Sequence, residues 1–408
     1  MAVAATLAVA PRPARADTIA IVGATVYTRP DRKLDDATVV IVDGKITAVG
    51  AGVAVPAGAT RIDGTGKIVT AGLIEADSSL GLVTVDAEPS ANDGAPALDA
   101  DKVHAAFRVV DAYDADALTI PVARAGGVTS AVAVPRGALV AGQSAWFTLA
   151  DGVTADDAVA APAAMHASLG NAASDASGGS RGRAIEMLRA LLDDAATYAR
   201  TRSAYDRNQS RELAADRLDL EALQPVLRGR LPLVVAAESE GDIRAALRLA
   251  KQRKLRLAIS GGTEAWKVAD ELARAGVAVI LDPTDNLPRR LEAPDVRDDN
   301  AAVLAAAGVP VAIATMGDPD AARTIRQLAG NAVADGMPWA QALAALTTVP
   351  AALYGVKDRG TVEKGQVADV VVWSGDPLEL SSRAEVVIIG GVVQSLVTHQ
   401  TELFDRYR

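Results

Sequence analysis

Carboxylates that follow apolar, strand-like runs are the residues best suited to chemistry in this sequence. Asp77 ends the run GLIEAD, Glu238 follows LPLVVAA, and Asp318 follows VPVAIATMG. Two carboxylates can act as general acid and general base when different surroundings separate their pKa values. We therefore expect these side chains at the mouth of a pocket, although their spacing does not show which of them meet.

Histidine and cysteine usage narrows the possible chemistry. The chain has no cysteine, which excludes thiolate nucleophiles, disulfides and cysteine-based metal sites, and it has three histidines. His166 lies near the end of a strand-like run and is the one well placed for a pocket. His104 lies among apolar neighbours and is interpreted as a structural or surface residue. His399 lies in a C-terminal tail, which we expect to be remote from the pocket.

Two further features in the segment GGTEAW each allow two interpretations. Glu264 either joins the carboxylates of the pocket or opens a helix as an acidic residue of the first turn. Gly261 and Gly262 either form a backbone cradle for an anion or make a tight turn into a helix that Thr263 caps. No Gly-x-Ser-x-Gly motif is present to indicate a serine nucleophile.

The pattern of apolar residues indicates how these side chains are positioned. Short β-rich runs occur near both ends of the chain, and Asp43-Gly44 between two of them predicts a hairpin turn. The middle alternates strand-like runs with helical patterns, which is typical of repeated βα units and a parallel sheet. About seven or eight such units favour a closed barrel over a doubly wound sheet.

Composition and the N-terminus limit the possible partners. The net charge of −10 is spread along the chain and aromatic residues make up 3%, so nucleic-acid binding is not expected. No segment is long and apolar enough to predict a membrane span. Residues 1–16 read either as the remnant of a signal peptide, which predicts a periplasmic or secreted protein, or as a disordered arm of a cytoplasmic one.

The order of motifs resembles the amidohydrolase superfamily, in particular its imidazolonepropionase-like members, from Thr18 onward. The segments that carry the resemblance are GATVYT, VDGKITAVG, IDGTGKIVTAGLIEAD, GGVTSAVAVPRG, LRLAISGGTEAWKVADELA and DRGTVEKGQVADVVVWSGDP. The resemblance implies an α/β protein with a (β/α)8 TIM-like barrel over residues 71–356. Residues 17–70 and 357–398 would form a small β-sandwich from both termini, and 399–408 a C-terminal tail.

The resemblance also implies metal-dependent hydrolysis of C–N bonds. Active relatives are expected to carry His-x-His after the first strand, one His after the fifth and one after the sixth, and an Asp after the eighth, all bound to zinc-like cations. In this register Asp77 and Ser79 occupy the His-x-His positions. Ala236, Gly261 and Met316 occupy the other three. The sequence therefore predicts a divergent member that lacks the metal-ligand set, with no cofactor expected.

The same register gives roles to two other residues. The position of His166 is close to that of a lysine in relatives, which some of them carbamylate to bridge two metals. Arg181 lies where relatives carry an arginine, and it faces either an anionic ligand or solvent. In one interpretation His166 and Asp77, with Asp318 as a further ligand, hold one divalent metal such as zinc. In the other, His166 is hydrogen-bonded inside a pocket without a metal.

Two functions follow from these alternatives. The first is a non-catalytic partner of an active amidohydrolase paralogue, a homodimer, or a binding protein for a small amide-like ligand. The second is an active amidohydrolase acting on non-peptide or dipeptide-like C–N bonds, with catalytic candidates Asp77, His166 and Asp318. The residues predicted to line the ligand pocket are Asp77, Ser79, His166, Arg181, Ala236, Glu238, Gly261 and Met316.

Overall fold

A computed structural model describes residues 18–84, 88–95, 102–289 and 291–408 of the chain. The predicted signal-peptide remnant, residues 1–16, lies outside the described residues. Within the described ranges, no helix combines the length and the apolar character needed to cross a membrane.

The described residues form sixteen strands in two sheets. In chain order they are β1 Thr18–Arg29, β2 Arg32–Val42, β3 Lys45–Ala51, β4 Thr60–Asp63, β5 Ile68–Ala71, β6 Leu73–Ser78, β7 Val128–Ala133, β8 Val140–Thr148, β9 Ala160–Ser168, β10 Leu233–Ala237, β11 Leu257–Gly261, β12 Ala278–Leu281, β13 Val311–Ile313, β14 Val370–Trp373, β15 Ala384–Ile389 and β16 Val392–Val393.

Twelve α-helices accompany these strands in the described part of the chain. They are α1 Thr119–Ala125, α2 Ser174–Ser177, α3 Arg181–Asp206, α4 Arg217–Ala222, α5 Gln224–Leu227, α6 Glu240–Arg253, α7 Ala269–Ala275, α8 Asn300–Ala306, α9 Ile325–Ala334, α10 Trp339–Ala345, α11 Thr348–Tyr354 and α12 His399–Tyr407.

Both termini contribute to one small sheet, as the sequence predicts. Its strand order is β16-β15-β14-β5-β1-β2-β3, with β4 paired to β1. The two ends of the chain meet where β14 pairs antiparallel with β5. The predicted hairpin joins β2 to β3, and Asp43 and Gly44 have the positive φ angles, 50° and 76°, that a tight two-residue turn of this hand requires.

The second sheet is an eight-stranded barrel in the order β13-β12-β11-β10-β9-β8-β7-β6. Its strands are buried on both faces, which explains their nearly continuous apolar sequences. In β10, Val234 packs among the side chains of neighbouring barrel strands, and the next residue, Val235, packs in the larger core that includes the helices. The predicted α/β fold class, with a TIM-like barrel and a separate sheet from both termini, is confirmed.

One strand departs from the expected βα repeat. Strand β8 runs antiparallel to both neighbours, and we did not predict VAGQSAWFT as a strand. Only residues 134–139 connect β7 to β8. A parallel crossover needs a dozen or more residues, so this short connection permits only an antiparallel return. Seven strands therefore keep the common direction that brings their carboxyl ends together.

The barrel and the small sheet meet at a close contact between Gly127 and Trp373. Gly127 precedes β7 with φ of 91°, and a Cβ atom placed on it would lie 2.2 Å from the Trp373 ring. Trp373 is fully buried, and its indole N–H donates to Thr70 Oγ1 at 2.9 Å. The ring is therefore fixed from the sheet side and excludes any side chain at position 127.

The contact predicts unequal effects of two glycine substitutions. Gly127→Ala should lower the free energy of unfolding by about 3 kcal/mol, since it adds overpacking to an unfavourable positive φ. Gly152→Ala is the matched control, because Gly152 has φ of 74° but open space around it. Its expected cost is only about 1 kcal/mol. Urea denaturation of both variants measures the difference, and equal losses would contradict the proposed packing of Trp373.

Candidate functional site

The carboxyl end of β6 places two acidic side chains inside the barrel. Glu75 is fully buried, and its carboxyl accepts the backbone N–H of Asp77 at 3.2 Å and that of Thr315 at 3.2 Å. Thr315 follows β13, so Glu75 bridges the two strands at the ends of the barrel order. Burial raises the pKa of Glu75 to about 8, although the two N–H donors act in the opposite direction.

Asp77, the second of these acids, is paired with a cation. Its Oδ1 accepts from the guanidinium of Arg136, and its Oδ2 accepts from Ser260 Oγ at 2.8 Å. The Asp77 side chain is 1% exposed, whereas that of Arg136, in the loop after β7, is 37% exposed. Arg136 therefore reaches from the open mouth of the barrel to a buried carboxylate.

Gly317 provides the surface on which this guanidinium lies. A Cβ atom on Gly317 would be 2.6 Å from Arg136 Nε and would displace the guanidinium, and the φ of 98° at this position also favours glycine. The backbone N–H of Gly317 donates to the Asp77 carbonyl at 3.1 Å, and its carbonyl accepts from Ser79 Oγ at 2.5 Å. The two His-x-His positions, Asp77 and Ser79, are thus both tied to Gly317.

His166 lies at the end of β9 and is 5% exposed. Burial lowers its pKa to about 4; the charge of Asp77 opposes this shift and that of Arg136 adds to it. The imidazole is therefore neutral near pH 7. Its Nε2 atom is buried and has no hydrogen-bond partner among the described residues. An unpaired buried polar atom costs free energy, so a ligand group that hydrogen-bonds to Nε2 would be favoured.

The positions expected to carry the fifth- and sixth-strand histidines hold no metal donor. Ala236 pairs with Ser168 of β9 and Ser260 of β11 in the parallel ladders. A Cβ atom on Gly261 would lie 2.4 Å from Glu238 Oε1, so the Glu238 carboxylate occupies the space beside this glycine. Glu238 accepts from Thr263 Oγ1 at 2.6 Å, which agrees with a tight turn after Gly261 and not with an anion cradle.

The eighth-strand position is conformationally unusual. Met316 has φ of 54°, a left-handed conformation that non-glycine residues seldom adopt. Two residues later, Asp318 is exposed, and its Oδ1 accepts the backbone N–H groups of Asp320 and Ala321 at 3.0 and 3.1 Å. Asp318 thus caps its own turn, and the structure does not bring it to Asp77 and His166 as the metal hypothesis requires.

Two other candidate pocket residues, Arg181 and Glu264, contact residues in or near the N-terminus of α6. Arg181 begins α3, where its guanidinium lies 3.8 Å from the Asp242 carboxylate and its side chain is 56% exposed. Glu264 accepts the backbone N–H of Glu240, the first residue of α6, at 3.0 Å and binds Lys267. A negative charge is favourable at a helix N-terminus, so Glu264 serves the N-terminus of α6 and not, as the sequence allowed, the first turn of the helix that follows it.

Sequence reasoning missed Glu75 and Arg136, which are central to the site. Glu75 is an acidic residue inside an apolar run, two positions before Asp77, and Arg136 follows the buried strand β7. A lone charge in or just after a buried strand is the signal that could have identified both, because such a charge needs a partner.

The residues at this site do not fit a zinc-type centre. Three of the five expected ligand positions carry Ala, Gly and Met, and Asp77 already binds a guanidinium, whose charge would repel a metal cation. Across the ranges that the structure covers, no group of three or more His, Cys, Asp or Glu side chains could hold a metal ion. A structural zinc site normally has four protein ligands and a catalytic one three.

Comparison with known proteins agrees with the fold and with the resemblance. A sequence family described as the amidohydrolase family matches residues 267–394. An amidohydrolase from Thermotoga maritima MSB8 has 28% sequence identity and a TM-score of 0.83, over 92% of this chain and 99% of that chain. None of the curated proteins matches.

More distant solved structures share the fold alone. A molinate hydrolase has 18% identity and a TM-score of 0.57, over 93% of this chain and 95% of its own. A prolidase complexed with N-methylphosphonate-L-proline has 17% identity and a TM-score of 0.57, over 93% and 99%. Together with the closer match, these findings confirm the predicted resemblance to the amidohydrolase superfamily.

The raised pKa of Glu75 predicts how stability depends on pH. The folded protein keeps this proton up to about pH 8, whereas the unfolded chain releases it near the ordinary value of 4.5. Stability should therefore fall as pH rises through this window. His166 has a pKa lowered from 6.5 to about 4, so its titration makes stability rise with pH, but only below pH 6.5.

Between pH 6.5 and 8, His166 no longer titrates, and the titration of Glu75 alone should lower the free energy of unfolding by about 2 kcal/mol. Glu75→Gln keeps a neutral acceptor and should flatten this decline. Urea denaturation across the window compares the variant with the wild type, with Glu186→Gln on the surface of α3 as the control. Parallel declines in wild type and Glu75→Gln would mean that Glu75 is not the titrating group.

Proposed function

We propose that this chain, which resembles the amidohydrolases in fold and in the sequence of residues 267–394, binds a small ligand at the mouth of its barrel without metal-dependent hydrolysis. The observation that carries the proposal is the pairing of the Arg136 guanidinium with Asp77. The resemblance expects a metal-binding histidine at position 77. Here the protein supplies the positive charge itself.

The polar groups at the mouth favour an amide-like or carboxylate-bearing ligand. Arg136 uses part of its guanidinium on Asp77, and its partly exposed side chain leaves further N–H donors for a carbonyl or carboxylate oxygen. Neutral His166 can accept from an amide N–H or donate to a carbonyl through Nε2. Both groups lie at the carboxyl ends of parallel strands, where barrels of this kind hold their ligands.

A second non-catalytic function needs no small ligand, because the chain would act through protein partners. The chain could act as a homodimer or as a partner of an active amidohydrolase paralogue, and neither assembly needs the metal ligands. Co-purification with such a paralogue, together with an empty and ligand-free barrel, would favour this form.

Metal analysis and ligand binding test the main proposal together. Protein purified without chelator should contain zinc, manganese and iron well below one ion per chain. A panel of N-acyl-amino acids, dipeptides and small cyclic amides should contain members that raise the melting temperature. Stoichiometric metal that is lost on His166→Ala would contradict the proposal.

Substitution of Arg136 should weaken binding of any such ligand. Arg136→Met should lower affinity by about 10- to 100-fold, the cost of removing hydrogen bonds from a charged donor. Arg136→Lys keeps the charge paired with Asp77 but loses the forked geometry, so it separates ligand recognition from folding. Arg189→Met, on the exposed surface of α3, is the control. Unchanged affinity in both Arg136 variants would place the ligand elsewhere.

One observation favours the alternative of an active amidohydrolase acting on non-peptide or dipeptide-like bonds. His166 is neutral, has a free Nε2, and lies close enough to Asp77 for its charge to influence the imidazole pKa. A neutral imidazole can act as a general base. Turnover of the same panel that is lost in His166→Gln but kept in Arg189→Met would establish this alternative. Absence of turnover with retained binding would reject it.

A further inference from the structure

A large cavity lies at the opposite end of the barrel from Asp77 and His166. Its volume is about 1410 Å³, and its lining includes Pro232, Leu257, Ala278 and Pro310. These residues begin or immediately precede β10, β11, β12 and β13. The cavity, here called the basal cavity, is therefore at the amino ends of the parallel strands, separate from the mouth where the candidate site lies.

The floor of the basal cavity is apolar. Leu247 of α6, Leu255, Val277, Val349 and Leu353 of α11 line it, together with the prolines and alanines at the starts of the strands. Most of these side chains are only partly buried. Accessible apolar surface inside a concavity favours a ligand with an apolar body, because binding removes that surface from water.

The rim of the cavity is basic, although the whole chain carries a net charge of −10. Seven of the lining residues are Lys or Arg, and one is acidic, Glu271. Arg244 is paired with Glu240 and Glu271. Arg248, Lys251 and Lys254 are exposed, and none of them has an ion-pair or hydrogen-bond partner for its side chain among the described residues.

The local sequence explains why these charges cluster. Ser239 caps the N-terminus of α6, where its hydroxyl accepts the Asp242 N–H at 3.2 Å, and the helix carries acidic residues in its first turn and basic ones in its last. That arrangement complements the helix dipole. Lys251 and Lys254 lie at the C-terminal end of α6, where they extend the basic charge to the rim. Helix stability alone does not require Arg248, which lies one turn earlier.

We propose that the basal cavity binds a small amphipathic anion, an acyl or aryl carboxylate, sulfonate or phosphate. The apolar body lies on the leucine and valine floor, and the anionic group pairs with Arg248 and Lys251. Arginine binds planar or tetrahedral oxyanions through two parallel N–H groups, and lysine adds a point charge. The positive potential inside a concave, partly apolar wall draws such anions toward an otherwise acidic protein.

Two dyes that share one apolar body test the charge requirement. The probes are 1-anilinonaphthalene-8-sulfonate and N-phenyl-1-naphthylamine, which lacks the sulfonate. The wild type should bind the sulfonate saturably and at least tenfold more tightly than the neutral dye. Equal affinity for both dyes would overturn the proposal, since it would mean that the cations of the rim make no contribution.

A charge variant with a matched control locates the site. Arg248→Gln/Lys251→Gln should weaken sulfonate binding tenfold or more, and glutamine preserves the helix propensity of α6. Arg189→Gln/Lys364→Gln removes the same charge from exposed positions outside the cavity and should leave binding unchanged. Equal losses in the two double variants would show a net-charge effect, and no loss in the first would place the dye elsewhere. Either result overturns the proposal.

Steric filling gives a test that leaves charge unchanged. Ala352 of α11 is exposed and lines the cavity. Ala352→Gln should therefore narrow the cavity and weaken binding of the sulfonate dye several-fold. Unaltered melting temperatures confirm that each variant is folded, and full dye affinity in Ala352→Gln would contradict the assigned cavity.

The source of the anion is then distinguished by two competitors. Dodecyl phosphate in solution should displace the dye if the anion is a free molecule. Sedimentation with phosphatidylglycerol vesicles that is lost in Arg248→Gln/Lys251→Gln would assign the anion to a lipid headgroup and its chain. Failure of both competitors would overturn the proposal. None of these outcomes depends on Arg136 or on the function proposed for the mouth.

Discussion

A carboxylate enclosed in the barrel needs a positive charge beside it, and the arrangement around Asp77 follows from that need. Removing two ions from water is costly, and their attraction offsets this cost only when hydrogen bonds satisfy the remaining atoms. Arg136 binds one oxygen of Asp77 and Ser260 the other. Gly317 leaves the space that the guanidinium occupies. The buried charge of Asp77 therefore accounts for the residue type at all three positions.

The second acid, Glu75, is tolerated because it carries a proton. With its pKa raised to about 8, Glu75 is predominantly neutral at pH 7, and His166 is neutral as well. Beside His166, the Asp77 carboxylate is then balanced by the Arg136 guanidinium. In the metal-dependent relatives that the sequence resembles, a bound cation would provide this balance. The proposed binding function rests on the replacement of that cation by a side chain of the protein itself.

The sequence predicted the strands and helices well because buried positions recur with a regular spacing and are occupied by apolar residues. Alternating apolar runs indicated the barrel and the sheet from both termini, and His166 was correctly placed at a strand end. Contacts between residues that are distant in the chain produce no such pattern. Arg136 and Asp77 are 59 positions apart, and nothing in either segment shows that they meet. Asp318 was misjudged because one oxygen of its carboxylate, Oδ1, accepts hydrogen bonds from the backbone of its own turn, at Asp320 and Ala321. Nothing in the sequence around Arg248 shows that the fold places a cavity beside these basic residues.

A double-mutant cycle between Asp77 and Arg136 tests the central claim most directly. The free energy of unfolding is measured at pH 7 for the wild type, Asp77→Asn, Arg136→Gln and the double variant, each with and without added zinc. If the guanidinium replaces a metal, the two substitutions should be coupled by about 1.5–3 kcal/mol, and zinc should change none of the four values. Additive effects within about 0.5 kcal/mol, or stabilisation of the wild type by zinc that Asp77→Asn abolishes, would contradict the account.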